Sequence, residues 1–453
     1  MTRAGSQLNC GMVGTMANGK LDLREVVAMG IGAMVGGGIF SVLGLAIAQA
    51  GHAAPLAFGF GGLVALLTGI SYARLGLAFR SDGGSFTYLE RAFVHPNIAG
   101  LGGWLLLVGY IGTLGLYAYT FGAYGAALLG GDGNPAMHHL LQSLVLLSFL
   151  GVNLYGVKET GTTELVIVTV KVLILLLFAL IGMSQVRMDH LVPLFDRGVP
   201  GVFMGAALIF VAYEGFELIP NAVNEMNQPE RNLSRGILIS VLATLAIYVL
   251  VSLVAVGNLT PEEIARYGEY ALAEAARPFL GQAGFVLIGL AALFSTSSAI
   301  NATLFGTARL GTEMAREQAL PAVFSLRRRQ DNIPWASLCI ISTVTLIFVN
   351  LANLAVISSF ASSTFLLVFF AINLSAWRLR GHIGLAGIWP GLAMLLSLGA
   401  WLVLMYWLWS AQRETLYWVG GFYAAVLAAE LLFSQRRCIC RPACRHPSAD
   451  AAE

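Results

Sequence analysis

Twelve long apolar runs separated by short polar breaks leave this chain few ways to fold. They lie near residues 24–50, 54–79, 97–129, 139–157, 161–183, 201–225, 235–256, 280–312, 335–350, 354–379, 384–409 and 415–434. A helix needs roughly 20 apolar residues to cross the hydrocarbon layer of a bilayer. Stretches such as LVIVTVKVLILLLFALIGM are continuous and lack the alternation of a transmembrane β-strand. With 57% hydrophobic and 11% charged residues among 453 and a mean hydropathy of +0.76, a water-soluble fold is excluded. The 52 Gly show no triplet period and the five Cys give no persuasive disulfide framework, so collagen-like and disulfide-scaffold readings fail too. The expected fold is an all-α polytopic membrane protein with twelve transmembrane helices.

Charge sets the expected orientation. A cytoplasmic N-terminus puts 20 of the 26 Lys and Arg on its own side, among them Arg80, Arg91, Arg327, Arg328, Arg329, Arg378, Arg380 and the tail from Arg436. The opposite side receives five, Arg187, Arg197, Arg266, Arg277 and Arg413, and Lys171 belongs to neither. This is the positive-inside distribution for an even number of spans with both termini in the cytoplasm. The first twenty residues lack the pattern of a cleaved secretory signal, which leaves the first span as the targeting signal into the cytoplasmic (inner) membrane.

Two spans are interrupted. The first reads VVAMGIGAMVGGGIFSVLGLAIAQAG, and Gly36, Gly37 and Gly38 in succession favour an opened helix. Unwound backbone persists in a membrane only where protein buries it or a wet cavity solvates it; close packing through small residues is the other reading of the triplet. The sixth span reads GVFMGAALIFVAYEGFELIPNAVNEMNQPE, with Gly215 between Glu214 and Glu217 in an apolar setting. Spans one and six are equivalent if helices 1–5 and 6–10 are repeats, a relation suggested by hydropathy spacing. Paired interruptions in two halves point to a transporter site near the midplane. N–H groups that open the half-helix after a gap attract a carboxylate, carbonyls that close the half-helix before it attract an ammonium, and a zwitterionic α-amino acid matches both.

Several ordered motifs then carry a resemblance: LDLREVVAMGIGAMVGGGIF in span one, GGSFTYLERAF before span three, FVAYEGFELIPNAVNEMNQPERNLSRGI across span six, ALFSTSSAINATLFGTARL in span eight and INLSAWRLR ending span ten. Over roughly residues 21–435 the chain resembles the amino acid–polyamine–organocation transporters, specifically bacterial amino-acid permeases with a five-plus-five inverted repeat. The resemblance implies a tail at 1–20, an inverted-repeat transport core at 21–383, two extra helices at 384–435 and a second tail at 436–453. It implies a substrate carboxylate at backbone N–H groups near Gly36, Gly37 and Gly38, and a substrate amine at carbonyls near Met34, Val211 and Glu214, around Gly215. Glu217 matches the last acidic residue of the family's pattern, whereas Glu214 departs from it. Glu214 either faces a cationic substrate, takes part in proton movement or caps a half-helix.

Lys171 sits near the centre of span five, where an ionised amine costs about 2.5–3.5 kcal/mol to insert. The resemblance implies that such a lysine replaces the cation of sodium-driven relatives, with Thr296 and Ser297 as hydroxyl partners and carbonyls near Gly32 and Ala33 completing the arrangement. Proton symport is the expected coupling, with Glu217 a second proton-handling residue; a structural lysine and an exchanger are the alternatives. The resemblance also implies that the substrate side chain points toward Tyr110, Thr113 and Tyr117 of span three and Phe294 of span eight, although such residues also serve in packing. A neutral amino acid is the first expectation, with cationic amino acids or polyamines behind it.

Other classes fit less well. The seven His are assigned to loops or tails and no H-E-x-x-H motif occurs, against an enzyme; no G-x-x-x-x-G-K-[ST] loop occurs, against an ATP-driven pump. A channel or a permease-fold nutrient sensor keeps the same composition. No cofactor is expected. The basic tail and the Arg327–Arg329 run are read as topology and lipid contacts, with no nucleic acid, and monomer and homodimer stay open. Cys438, Cys440, Cys444 and His446 suggest zinc weakly, against a disordered tail. The segment PEEIARYGEYALAEAARPF is expected to be helical after Pro261 and to cap the outer vestibule.

Overall fold

The structure, a computed structural model, describes residues 20–433 apart from 82, 132, 157–160 and 329. It is helical throughout: α1 Leu23–Met34, α2 Gly38–Ala50, α3 Ala54–Phe79, α4 Gly84–Ala92, α5 Pro96–Leu128, α6 Pro135–Tyr155, α7 Gly161–Met183, α8 Gly198–Leu208, α9 Pro229–Asn258, α10 Pro261–Tyr267, α11 Ala271–Arg316, α12 Trp335–Leu351, α13 Leu354–Arg378, α14 Arg380–Ile383, α15 Ile388–Ala411 and α16 Arg413–Phe433. Two 3-10 pieces, Phe210–Tyr213 and Phe216–Glu225, follow α8. Among the described residues, nine helical stretches are long and apolar enough to cross a membrane, and ten when α8 and the 3-10 pieces after it, Phe210–Glu225, bent by 51°, count as one. The apolar helix α12 has 17 residues and falls below that length.

Local chemistry sets the ends. Pro96, Pro135, Pro229 and Pro261 stand at first helical positions, where the missing N–H costs nothing. Asn134 accepts from the N–H of Ala136 and Met137, so α6 starts four residues before its apolar run and takes in His138 and His139, which the sequence assigns to a loop. The run from 384 is also shortened, because Gly384 turns left-handed (φ 61°) and α15 begins only at Ile388. In the α11–α12 connection, Arg328 donates to both oxygens of Asp331, at 2.9 and 2.5 Å, and holds that carboxyl below the usual carboxylate range.

In the most apolar stretch of each helix, 78% of α13 and 72% of α5 is buried, against 22% for α6, α15 and α16. Helices α5 and α13 therefore form the centre, while the others turn Leu, Trp and Tyr outward, as helices facing lipid do. At the basic end the residues before α1 pair with the end of the sixth segment: Leu21 N–H donates to Glu225 O at 2.8 Å, Asn227 N–H to Leu21 O at 2.9 Å, and the Asn227 amide to Asp22 at 2.6 Å. At the other end α10 packs on α2, and the turn Gly268–Tyr270 lies against Gly44. Glu269 in that turn accepts a hydrogen bond from the Tyr119 hydroxyl of α5 and lies 4.0 Å from His138 of α6. The segment after Pro261 is helical as expected, and α11 kinks at Gly281 (φ 61°), three residues beyond Pro278.

Candidate substrate site

Helix α1 stops at Met34, residues 35–37 are not helical, and α2 starts at Gly38. The end of a helix leaves its last carbonyls without intrahelical donors. Here side chains of three other helices provide them. The Lys171 ammonium of α7 donates to Gly32 O at 2.7 Å, the Tyr248 hydroxyl of α9 to Met34 O at 2.7 Å, and the Ser295 hydroxyl of α11 lies 2.8 Å from Val35 O and 2.7 Å from Gly36 O. Across the gap, the Ser41 hydroxyl donates to Gly37 O at 2.6 Å and meets the Thr120 hydroxyl of α5. The N–H groups that open α2, at Gly38, Ile39 and Phe40, have no carbonyl four residues back within the helix and carry the positive end of its dipole.

The sixth segment is broken in the same manner. Ser358 and Ser362 of α13 donate to Leu208 O at 2.9 and 2.7 Å, and the Ser362 hydroxyl accepts from Val211 N–H at 3.0 Å. Tyr248 also lies 3.0 Å from Ala212 O. Glu214 is extended (φ −62°, ψ 145°) and Gly215 adopts φ +124°. A Cβ on Gly215 would stand 2.7 Å from the Ala33 carbonyl carbon and 2.9 Å from Met34 N, and one on Gly38 would stand 2.8 Å from Ala212 Cα. Glycine is needed at 215 both for its φ and for the backbone passing beside it. The two breaks thus touch main chain to main chain.

Tyr110, Thr113 and Tyr117 share one face of α5, at i, i+3 and i+7, and turn it to the breaks. Thr113 donates to Glu214 Oε2, and Tyr110 donates to Glu217 Oε1 at 3.3 Å. The other Glu217 oxygen accepts from Gly215 N–H at 2.7 Å. Tyr117 covers Gly36 and Gly37: a Cβ on Gly36 would lie 3.1 Å from its hydroxyl, and one on Gly37 would enter its ring. Both glutamates are buried, 4% and 2% exposed. Among the described residues, no ion pair involves either of them.

The structure brings Gly32, Ala33, Met34, Gly36, Gly37, Gly38, Lys171, Val211, Glu214, Gly215 and Glu217 together with Tyr110, Thr113 and Tyr117. Phe294 needs correction. It is 64% exposed on the outside of the bundle, because Ser295 points at α1 and neighbouring helical positions diverge by about 100°. Thr296 turns its hydroxyl back to Ala292 O at 2.7 Å, and its methyl faces Gly37. Ser297 is half-buried, and the α11 hydroxyl that reaches the α1 break is Ser295's. The carbonyls of Met34 and Val211, expected to receive an amine, already accept from Tyr248 and from Glu214 N–H; each keeps a second lone pair. Sequence reasoning missed Tyr248, Ser358 and Ser362; hydroxyls inside apolar runs were the available signal. The Cys438, Cys440, Cys444 and His446 cluster lies outside the described residues, and among those described no group of three or more His, Cys, Asp or Glu could hold a metal.

Two broken helical segments packed backbone to backbone inside an apolar bundle define a membrane carrier of the discontinuous-helix kind. The chain belongs to the amino acid permease family, whose model matches residues 21–427. It is similar to an uncharacterized protein of Methanocaldococcus jannaschii, 33% identical over 92% of this chain and 96% of that one. The inner membrane transport protein YbaT of Escherichia coli is 31% identical over 94% and 99%, and the methylthioribose transporter of Bacillus subtilis 28% over 80% and 81%. The protein is a transporter and not an enzyme.

Proposed function

We propose that this protein is a secondary active transporter that moves amino acids across the cytoplasmic membrane by alternating access, without sodium and with proton coupling. The reading includes twelve spans, a five-plus-five inverted repeat over α1–α13, two additional helices α15 and α16, and both termini in the cytoplasm. Under it, α1–α2 and the sixth segment are equivalent first helices of the two halves.

The observation that carries the reading is the contact of Gly38 with Ala212 and of Gly215 with Ala33 and Met34, which places donors and acceptors of two breaks around one point. An α-carboxylate meets the N–H groups opening α2, and the α-ammonium meets second lone pairs on the carbonyls of Met34 and Val211. Tyr110, Thr113 and Tyr117 face the side chain. Lys171 stands where a cation would join α1 to the helices around it. The buried carboxyls of Glu214 and Glu217 have hydroxyl and N–H partners but, among the described residues, no ion-pair partner, a setting in which a proton lowers the cost of burial.

Uptake by proteoliposomes tests this directly. A panel of neutral and cationic amino acids, polyamines and methylthioribose is offered under an imposed pH gradient, with and without sodium. Accumulation of an amino acid driven by an acid exterior, indifferent to sodium, is the expected result. Sodium-stimulated uptake rejects the coupling, exchange without net uptake marks an antiporter, and binding without either marks a sensor.

A further inference from the structure

We propose that Tyr248 of α9 is a positioning residue that fixes the two helix breaks relative to each other, and with them the backbone groups that receive the solute. The proposal rests on the reading that the solute binds at the breaks. One buried oxygen lies 2.7 Å from Met34 O and 3.0 Å from Ala212 O. Met34 closes α1, and Ala212 belongs to the 3-10 turn after α8. Among the described residues, Lys171 and Ser295 bond the first break, and Ser358 and Ser362 the second. Tyr248 bonds both. Its ring is fixed by Phe58 of α3 and by Tyr213, with centroids 5.7 and 5.2 Å away, and the Tyr213 hydroxyl donates to Phe58 O at 2.7 Å. The contacts at Gly38 and Gly215 are non-directional packing that permits sliding, whereas a shared hydroxyl proton sets direction and distance. The same bond holds Met34 O, one of the two carbonyls assigned to the ammonium, and the Ala212 carbonyl next in the chain to Val211 within 3.0 Å of one atom, so an ammonium meets acceptors already ordered.

The test uses the full chain in nanodiscs. Melting with the solute panel first identifies a stabilising amino acid, and calorimetry gives its Kd and number of sites. Tyr248→Phe keeps the ring and removes one oxygen. Its Kd rises about fivefold to tenfold, the worth of one hydrogen bond, with the number of sites unchanged. Tyr124→Phe is the control: it removes a buried hydroxyl that bonds Phe40 O of α2 at 3.0 Å, and leaves Kd as it was. An unchanged Kd in Tyr248→Phe, an equal loss in both variants, or fewer sites at the original Kd overturns the proposal. Failure of the unmodified chain to bind any solute overturns the site reading itself, and the proposal with it. A second measurement needs no variant: in hydrogen exchange of the unmodified chain, the stabilising amino acid slows peptides covering 33–38 and 209–216 with one midpoint. Slowing confined to one of them also overturns the proposal.

Discussion

The side-chain nitrogen of Lys171 lies 2.7 Å from the carbonyl oxygen of Gly32, so a buried amine of α7 closes the last turn of α1. Removing it leaves that carbonyl without its side-chain donor. Lys171→Ala is expected to lose acid-stimulated uptake about tenfold or more, the scale of a hydrogen bond to a charged group, while uptake by both proteins ignores sodium. Initial rates in proteoliposomes across pH 5 to 8 measure this. Wild-type acid stimulation in Lys171→Ala would refute it.

The Thr113 hydroxyl donates to the Glu214 carboxyl, and both residues are buried. Thr113→Val keeps the shape and removes the donor, leaving a carboxyl short of a partner at a cost of about 1–3 kcal/mol. Solute binding is expected to weaken and the Tm to fall. Thr113→Ser, which keeps the hydroxyl, restores both; calorimetry and melting of the three proteins decide, and equal behaviour of the Val and Ser variants would sink the argument.

Gly215 has φ +124° and main chain of α1 within 2.9 Å of the position its Cβ would take. Gly215→Ala is expected to abolish uptake, with backbone strain of about 1–3 kcal/mol added to the clash. Gly399→Ala, in α15 with nothing within 4 Å of the added atom, is expected to transport normally. Transport at comparable rates by both variants would contradict the close approach of the breaks.

Glu269 joins the turn after α10 to Tyr119 of α5 and faces His138 of α6. With the Tyr119–Glu269 bond removed, that cover should open more often. Glu269→Ala and Tyr119→Phe are expected to speed hydrogen exchange of peptides covering 261–270 several-fold. Exchange no faster than in the unmodified chain would show that the contact does not hold the cover.

Much of this was legible in the residues, and the parts that were not have a common cause. The three consecutive Gly at 36–38 marked the first break, and Gly215 between two glutamates marked the second, because backbone freedom and misplaced charge are local properties. Rotation about a helix axis is a tertiary property. The string FSTSS held the correct hydroxyl, yet whether Ser295 or Ser297 faces α1, and whether Phe294 faces lipid, depends on how α11 is turned. Tyr248 showed only as a hydroxyl inside an apolar run, since nothing in the sequence of α9 tells that it crosses both breaks. The start of α6 was missed through weight on hydropathy, although Asn134 and Pro135 spelled a helix start.

Side-chain hydroxyls and one amine stand in for the main-chain partners that Gly32, Met34, Val35, Gly36 and Leu208 lack. The openings are consequently permanent architecture: an arriving molecule has no coil to unwind, and its affinity is not taxed by melting the protein around it. Under the proposed function, selectivity then depends on how well a guest's two charged poles match a frame whose spacing was set when the chain folded.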